Sequence, residues 1–332
     1  MKAIIPLAGI GSRLKPHTRT QPKSLIPLAG KPILGHIMDR LVEAGVSDFV
    51  FVIGYLGDRI EQYITENYGQ YKSTFVIQTL GRGIGHAIWL ARESFGAGEK
   101  MLIVLGDTIF EADLAGVLAA GGNALGVKKV EDPRQFGVAE LDETGKIARL
   151  SEKPVIPKSN LALVGLYAIE DTKALFDCLE YNIQNEIRTQ NEYHLTDALQ
   201  CMIAQGVVFE TFAVDTWFDC GKKDIILQTN RNLLRQVDQQ QFAGFNKGNI
   251  IIPPVHIAVT AKVENSIIGP DVSIGDGAVI SRSVVKNSII GQGAELTNAI
   301  LEDSLVGSDS VLVGAASSLN IGDSAEINLR NS

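Results

Sequence analysis

Residues 6–34 have the sequence PLAGIGSRLKPHTRTQPKSLIPLAGKPIL and follow an apolar run that begins at residue 3. The run has the length of a buried strand, and the glycines directly after it are typical of a tight strand-to-helix turn. Glycines let backbone N–H groups approach an anion closely, and Arg13 and Lys23 add positive charge. The segment therefore predicts an α/β fold with a phosphate-binding loop after its first strand.

Two common phosphate-binding motifs do not fit this loop. The dinucleotide fingerprint needs a third glycine where this chain has Leu14, and the P-loop needs a Gly-Lys-Ser/Thr run that this stretch lacks. Gly9 and Gly11 alone would equally suit a tight turn without a ligand. The Arg, Lys and Pro residues that follow favour phosphate binding.

The first 235 residues alternate between short apolar runs and amphipathic stretches. Apolar runs separated by helical patterns indicate βαβ units, so we expect a Rossmann-like, mostly parallel sheet sandwiched by helices. Ligands of such sheets bind at the carboxyl ends of the strands, which here places Gly9–Arg13 and Gly106-Asp107 in one crevice. The predicted strands are 3–7, 49–53, 74–77, 101–105 and 124–130, and the predicted helices are 33–44, 58–68, 84–95 and 112–119.

The pattern changes after a helix that is predicted from residue 222 and a polar connector at 236–241. Ser266-Ile-Ile-Gly recurs at 288–291 and, as Ser-Leu-Val-Gly, at 304–307, and Ile268, Ile274 and Ile280 are six residues apart. A six-residue period predicts a short left-handed parallel β-helix of about four coils with three hexads each. Interruptions near 281–290 and 297–306 predict bulged corners. The expected domains are 1–235, a linker at 236–248, and the β-helix at 249–332.

Composition narrows the class of protein. The chain has 332 residues, a formal charge of −8 and 45% hydrophobic residues. The negative charge argues against a nucleic-acid or anionic-membrane partner, and the apolar start is too short for a membrane span. Three cysteines cannot form a disulfide framework, so a cytoplasmic location is expected.

Four short motifs in the opening segment carry a resemblance to a known family. Ala8-Gly9-Ile10-Gly11-Ser12-Arg13-Leu14 is followed by Pro16-His17-Thr18, Pro22-Lys23 and Lys31-Pro32. This order resembles the signature of the sugar-1-phosphate nucleotidyltransferases. The resemblance implies the nucleotidyltransferase fold for the first domain and an enzyme that joins a nucleoside triphosphate to a sugar 1-phosphate.

The resemblance also implies a nucleotide site that includes a base-recognition residue, Gln78, whose amide can pair with the imide edge of uracil or thymine by one donor and one acceptor. Without the resemblance, Gln78 would be an ordinary strand residue. The implied nucleotide-binding residues are Leu7, Ala8, Gly9, Gly11, Ser12, Arg13, Gln78, Gly83 and Asp107.

Two aspartates resemble the family's metal ligands. Asp107 lies in Leu105-Gly106-Asp107-Thr108 and Asp219 in Trp217-Phe218-Asp219-Cys220-Gly221. By resemblance both hold Mg²⁺, a cation that prefers carboxylate oxygens and shares nucleotide phosphates. They are far apart in sequence, so only the fold can bring them together.

The sugar phosphate has its own implied set of residues, drawn from four later motifs. Asn191-Glu192-Tyr193-His194-Leu195-Thr196-Asp197 is one of them, and in it Thr196-Asp197 is expected to be structural. Arg13, Lys23 and Lys153 are the implied catalytic residues, which bind phosphate groups. The implied sugar-phosphate residues are Gly137, Glu152, Lys153, Leu163, Val164 and Glu192.

The expected reaction is transfer of a nucleotidyl group from dTTP or UTP to a sugar 1-phosphate, glucose 1-phosphate foremost, with release of pyrophosphate. Three alternatives stay open: a mannose-1-phosphate guanylyltransferase, an inactive sugar-nucleotide-binding regulatory homologue, and acyl transfer by the β-helix. Exposed ladder edges in the β-helix favour a homo-oligomer.

Overall fold

The structure is a computed structural model that describes residues 1–237 and 248–314. The described residues divide into two compact units, residues 1–229 and residues 230 onward. The predicted boundaries at 235 and 248 stay a prediction, because the connector at 238–247 and the end of the predicted β-helix at 315–332 lie outside the described residues.

The first unit is built on one nine-stranded sheet with the order β10-β9-β11-β6-β1-β4-β5, to which β8 adds beside β11 and β12 beside β8. Four shorter strands form two small ribbons, β2-β3 and β7-β13. Its strands are β1 Lys2–Pro6, β2 Pro27–Leu28, β3 Lys31–Pro32, β4 Asp48–Ile53, β5 Lys72–Ile77, β6 Met101–Val104, β7 Thr108–Glu111, β8 Ala124–Lys129, β9 Gly137–Leu141, β10 Ile147–Glu152, β11 Leu161–Ile169, β12 Glu210–Ala213 and β13 Thr216–Asp219.

Helices cover this sheet, and their apolar residues face the core. In α1 the buried residues Ile33, Ile37 and Leu41 are four apart and so share one face. The helix predicted at 84–95 ends earlier and continues as a 3₁₀ turn at Arg92–Ser94. The helices are α1 Ile33–Glu43, α2 Gly57–Tyr68, α3 Ile84–Leu90, α4 Leu114–Ala120, α5 Thr172–Gln184, α6 Leu195–Ala204 and α7 Lys223–Leu234.

The five predicted strands all exist, and the sheet is mixed. β6, β1, β4 and β5 are parallel, as expected, whereas β11 runs antiparallel to β6, β8 and β9. The antiparallel pairing follows from the connections between strands. No helix separates β8, β9, β10 and β11 along the chain, and strands joined by short links without a crossover helix pair antiparallel. The α/β fold is confirmed, with a parallel centre and an antiparallel extension.

The second unit begins within α7 and continues as a parallel β-helix of three four-stranded sheets. Aliphatic side chains, among them Ile268, Ile274, Ile280 and Leu296, fill its interior and are fully buried. The strands are β14 Ile250–Ile251, β15 Val255–Ile257, β16 Lys262–Glu264, β17 Ile267–Ile268, β18 Val272–Ile274, β19 Val279–Ser281, β20 Val284–Lys286, β21 Ile289–Ile290, β22 Glu295–Thr297, β23 Ile300–Glu302, β24 Leu305–Val306 and β25 Val311–Val313.

The predicted hexapeptide β-helix and its four coils are confirmed, but the corners are shortened rather than bulged. Ile250 pairs with Ile267, a step of 17 residues, and Val284 pairs with Ile300, a step of 16. Three full hexads would take 18. Several corners of each coil contain a residue in the left-handed conformation, such as Asn265 (φ 49°) and Arg282 (φ 49°), which turns the chain in less space.

None of the described helices is long and apolar enough to span a membrane.

Candidate active site

The predicted phosphate loop leaves β1 at the centre of the sheet. Gly11 has φ +61°, and a Cβ there would lie 2.8 Å from the methyl group of Thr18. The Thr18 hydroxyl donates a hydrogen bond to the Gly11 carbonyl at 2.8 Å. Glycine is therefore required for this turn, which leads into the 3₁₀ turn at Ser12–Leu14.

Arg13 extends from this turn toward the second aspartate motif. A Cβ on Gly221 would lie 2.5 Å from the Arg13 guanidinium and 3.1 Å from Asp219 Oδ1. The absence of a side chain at Gly221 thus makes room for the guanidinium beside the carboxylate.

The fold brings the two aspartates together through the β7-β13 ribbon. Asp219 is opposite Thr108 in the antiparallel register, and the Cys220 amide donates to the Asp107 carbonyl at 3.0 Å. The Lys23 ammonium contacts Asp107 Oδ2 directly and lies 3.8 Å from Asp219 Oδ1. Both carboxylates therefore share one cation.

The electrostatics of this cluster follow from burial and charge. Burial, and then the negative charge of Asp107, raise the pKa of Asp219, while Lys23 and Arg13 oppose the rise. Two close carboxylates repel each other, so the site has affinity for additional positive charge.

A cavity of about 670 Å³ opens beside the phosphate loop. Eight of its lining residues were expected from the sequence: Leu7, Ala8, Gly9, Ser12, Lys23, Gln78, Gly83 and Asp107. Two predicted nucleotide-binding residues, Gly11 and Arg13, do not line it: Gly11 contributes the shape of the turn, and Arg13 lines the second cavity described below.

The far end of this cavity is built by Gln78 and the loop after it. Gly83 has φ +98°, and a Cβ there would lie 2.6 Å from the Tyr193 carbonyl oxygen. Tyr193 is tied to the loop by two backbone hydrogen bonds, from its amide to the Arg82 carbonyl and from the Gly85 amide to its carbonyl, each 2.8 Å. The loop at 82–85 is thereby held against the segment that carries Glu192.

A second cavity of about 210 Å³ lies next to the first and is lined by all six predicted sugar-phosphate residues, Gly137, Glu152, Lys153, Leu163, Val164 and Glu192. Arg13, Asp107 and Asp219 also line it. Ile84, Leu105, Asp107 and Glu192 line both cavities. Two small molecules bound there would meet at Asp107.

Glu152 is the anchored carboxylate of this second cavity. Thr196 Oγ1 donates to its Oε2 at 2.7 Å, and His194 Nδ1 lies 3.4 Å from its Oε1. Lys153 Nζ is 3.8 Å from the same oxygen. Thr196, which we expected to be structural, therefore lines the cavity and orients Glu152.

Sequence reasoning missed several lining residues. His194, Trp217 and Phe136 line the second cavity and Tyr55 lines the first. Phe136 and Trp217 stack edge to face with ring centroids 4.7 Å apart. His194 and Trp217 lie inside motifs quoted above, and Phe136 directly precedes the predicted Gly137, but nothing in the sequence assigned a role to these three. For Tyr55 we see no signal in the sequence.

The two aspartates suit a divalent cation as a pair of ligands. Among residues 1–237 and 248–314 there is no group of three or more His, Cys, Asp or Glu side chains able to hold a metal ion. Mg²⁺ binds proteins through one or two carboxylates and takes its other ligands from phosphates and water, so two aspartates are sufficient.

The match to known proteins agrees with this geometry. A family model described as nucleotidyl transferase matches residues 2–236, and one described as GlmU-like, C-terminal hexapeptide matches residues 236–322. The chain belongs to the nucleotidyl transferase family. It is a sugar-phosphate nucleotidyltransferase, and the resemblance seen in the sequence is confirmed.

Individual relatives of this nucleotidyltransferase carry different names. The glucose-1-phosphate thymidylyltransferase of Streptomyces griseus is 30% identical over 87% of both chains. The bifunctional protein GlmU of Methanocaldococcus jannaschii is 36% identical over 76% of this chain, which spans 59% of that protein. The crystal structure of a putative glucose-1-phosphate thymidylyltransferase from Bacillus anthracis, in complex with sucrose, superposes with a TM-score of 0.62 at 27% identity and covers 72% of this chain and 96% of that one.

Proposed function

We propose that this nucleotidyltransferase transfers a nucleotidyl group from dTTP or UTP to glucose 1-phosphate, which gives a nucleotide-diphosphate sugar and pyrophosphate. The observation that carries the proposal is the pair of cavities that share Asp107, with Lys23 and Arg13 at their junction. The thymidylyltransferase relative supports thymine and glucose 1-phosphate as substrates. Uracil and thymine differ by one methyl group, which a pocket distinguishes by only about 1–3 kcal/mol, so use of both is expected.

The proposed chemistry is an in-line displacement. An oxygen of the sugar 1-phosphate attacks the α-phosphorus of the triphosphate, the bond to the β-phosphate oxygen breaks, and pyrophosphate leaves with the electron pair. No general base is needed, because a phosphate monoester is already largely ionised near neutral pH. The obstacle is repulsion between two anions, so the site works by positioning and charge neutralisation.

Three basic residues have separate proposed roles. Arg13, beside Asp219, binds the leaving pyrophosphate and stabilises charge that develops in the transition state. Lys23, buried at the junction, contacts the α-phosphate. Lys153, on the rim of the second cavity, holds the phosphate of the attacking sugar phosphate.

Asp107 and Asp219 are the proposed ligands of Mg²⁺. Their shared position, hard oxygen donors and mutual repulsion fit a divalent cation. When bound, Mg²⁺ would withdraw charge from the phosphate oxygens of the triphosphate. Lys23 keeps the two carboxylates together until substrate arrives.

A pyrophosphate-release assay tests this proposal. Five nucleoside triphosphates are each combined with glucose 1-phosphate, mannose 1-phosphate and N-acetylglucosamine 1-phosphate, with and without Mg²⁺. Magnesium-dependent release with UTP or dTTP and glucose 1-phosphate supports it. Release with GTP and mannose 1-phosphate alone favours the guanylyltransferase alternative, and release with no combination favours the inactive homologue.

Assembly and location complete the proposal. We infer a homo-oligomer, since one face of the β-helix exposes the stacked aliphatic side chains Ile250, Val284 and Ile300. The free thiols of Cys178, Cys201 and Cys220 fit a reducing compartment such as the cytoplasm.

A further inference from the structure

The amide of Gln78 is held by two neighbours at the base end of the first cavity. Its nitrogen lies 3.3 Å from the Gly83 carbonyl oxygen and 3.0 Å from His86 Nδ1. The side chain is only 6% exposed, and that remaining exposure is toward the cavity that Gln78 lines.

Elementary hydrogen-bond chemistry fixes the orientation of this amide. A carbonyl oxygen can only accept, so the Gln78 NH₂ group must face Gly83. His86 Nδ1 must then accept the second hydrogen, which requires a neutral ring with its proton on Nε2. Burial lowers the pKa of His86, and the neighbouring charge of Arg82 lowers it further, in agreement with a neutral ring.

Both hydrogens of the Gln78 amide are therefore used inside the protein. Only the carbonyl oxygen is left for a ligand, and none of the described residues donates a hydrogen bond to it. This corrects the expectation that Gln78 offers one donor and one acceptor to the base.

We propose that His86 is a positioning residue that restricts Gln78 to acceptance and thereby selects bases with a ring N–H. Uracil and thymine carry a hydrogen on N3, whereas N3 of cytosine is a lone pair that would face the Gln78 oxygen. The inference rests on the proposed function, and it identifies N3 of the base as the position at which the enzyme distinguishes uracil and thymine from cytosine. Without the acceptor at residue 86, one N–H of Gln78 becomes available and cytosine is no longer excluded.

Two substitutions separate orientation of Gln78 from simple packing. The His86 ring stacks between Trp89 and Tyr193, with centroid distances of 6.0 Å and 6.4 Å. His86→Phe keeps the stacked ring and loses the acceptor. His86→Asn loses the ring, and its Oδ1 can take the place of Nδ1 as acceptor. If His86 only packs, His86→Phe should keep the selectivity for UTP over CTP and His86→Asn should lose it. If His86 accepts the hydrogen bond from Gln78, as we propose, His86→Asn should keep that selectivity and His86→Phe should lose it.

The measurement is the ratio of kcat/KM for UTP to that for CTP, with glucose 1-phosphate and Mg²⁺. We expect wild type and His86→Asn to prefer UTP, and His86→Phe to lose about tenfold of that preference, the effect of one hydrogen bond. A preference that survives in His86→Phe and falls in His86→Asn would overturn the proposal. If the Phe variant does not fold, His86→Leu, which also lacks an acceptor, replaces it.

Equilibrium binding of UTP and CTP, without sugar phosphate, provides a second readout that does not need turnover. A wild-type protein that binds UTP more tightly than CTP but releases no pyrophosphate would contradict the proposed function and leave the role of His86 intact. A wild-type protein that releases pyrophosphate equally well with UTP and CTP, and binds them equally, would contradict the role of His86 alone.

Discussion

Lys23 places one ammonium group against two carboxylates, and this arrangement determines how the site responds to pH. The Lys23 side chain is 12% exposed, whereas those of Asp107 and Asp219 are 34% and 32% exposed, so water reaches the carboxylates more than the ammonium group. Burial and Asp107 still raise the pKa of Asp219 above its ordinary value of 3.8 despite the nearby lysine. Repulsion between the two carboxylates therefore favours the binding of a further cation at this site.

A first prediction concerns the pH dependence of stability. Between the ordinary and the raised pKa of Asp219, the folded chain holds a proton that the unfolded chain has lost, so the free energy of unfolding falls as pH rises through this window. Asp219→Asn removes the titration and should flatten that decline. Urea unfolding from pH 4 to 7, with a chelator present, measures it. Glu143→Gln, in the exposed turn between β9 and β10, is the control and should leave the decline unchanged. An unchanged slope in Asp219→Asn would refute the assignment.

At the scale of elements, the site depends on two pairings that join distant segments. The β7-β13 ribbon brings Asp219 to Asp107, and the backbone bonds at Tyr193 hold the loop at 82–85. The loop has no room for a side chain at Gly83, because the Tyr193 backbone fills that space.

A second prediction therefore concerns Gly83→Ala. The substitution strains a left-handed backbone by about 1–2 kcal/mol and pushes the loop from Tyr193. We expect KM for the triphosphate to rise about tenfold, since one base contact of about 1.4 kcal/mol is lost. Gly145→Ala is the matched control, because Gly145 also has a positive φ (+83°), a Cβ there meets nothing within 4 Å, and it does not line either cavity. Equal KM values in the two variants would show that the close approach at Gly83 is not needed.

The elements also show what could be predicted from the sequence. The strands β1, β4 and β6 are almost continuously apolar because they are buried on both faces, and such runs are visible without a structure. The hexapeptide period is visible for the same reason, since buried aliphatic residues such as Ile268, Ile274 and Ile280 recur every six positions.

Other features could not be predicted because they depend on long-range packing. No periodicity in the chain indicates that β11 runs antiparallel to β6, or that Thr196 reaches Glu152. The meeting of Asp107 and Asp219 came from resemblance alone, and the ribbon that produces it is too short to show a pattern. The orientation of Gln78 depends on His86 and Gly83 as neighbours in space.

For the whole molecule, the exposed face of the β-helix is the feature relevant to assembly. Ile250, Ile267, Val284 and Ile300 stack in register across β14, β17, β20 and β23, and Ile300 is 84% exposed. A ladder of aliphatic side chains in water favours contact with another apolar surface, and identical chains form symmetric contacts most readily.

A third prediction follows for the state of assembly. Ile300→Glu places a charge in the ladder without touching the interior, so sedimentation should show a smaller species than wild type with the fold retained. Val259→Glu is the control, because Val259 is 97% exposed at a corner outside the ladder. Deletion of residues 247–332 should reduce the mass to that of a single catalytic unit. A wild-type chain that sediments as a monomer would contradict the proposed homo-oligomer.

The central claim is that Asp107 and Asp219 act as one cation site at the junction of the two cavities. A double-mutant cycle of magnesium-dependent pyrophosphate release tests it most directly. Each of Asp107→Asn and Asp219→Asn should lower kcat/KM about a thousandfold, roughly 4 kcal/mol of transition-state stabilisation. The double variant should lose little more than either single variant, because ligands of one ion act together. Losses that multiply in the double variant, or near-wild-type turnover in either single variant, would contradict the claim.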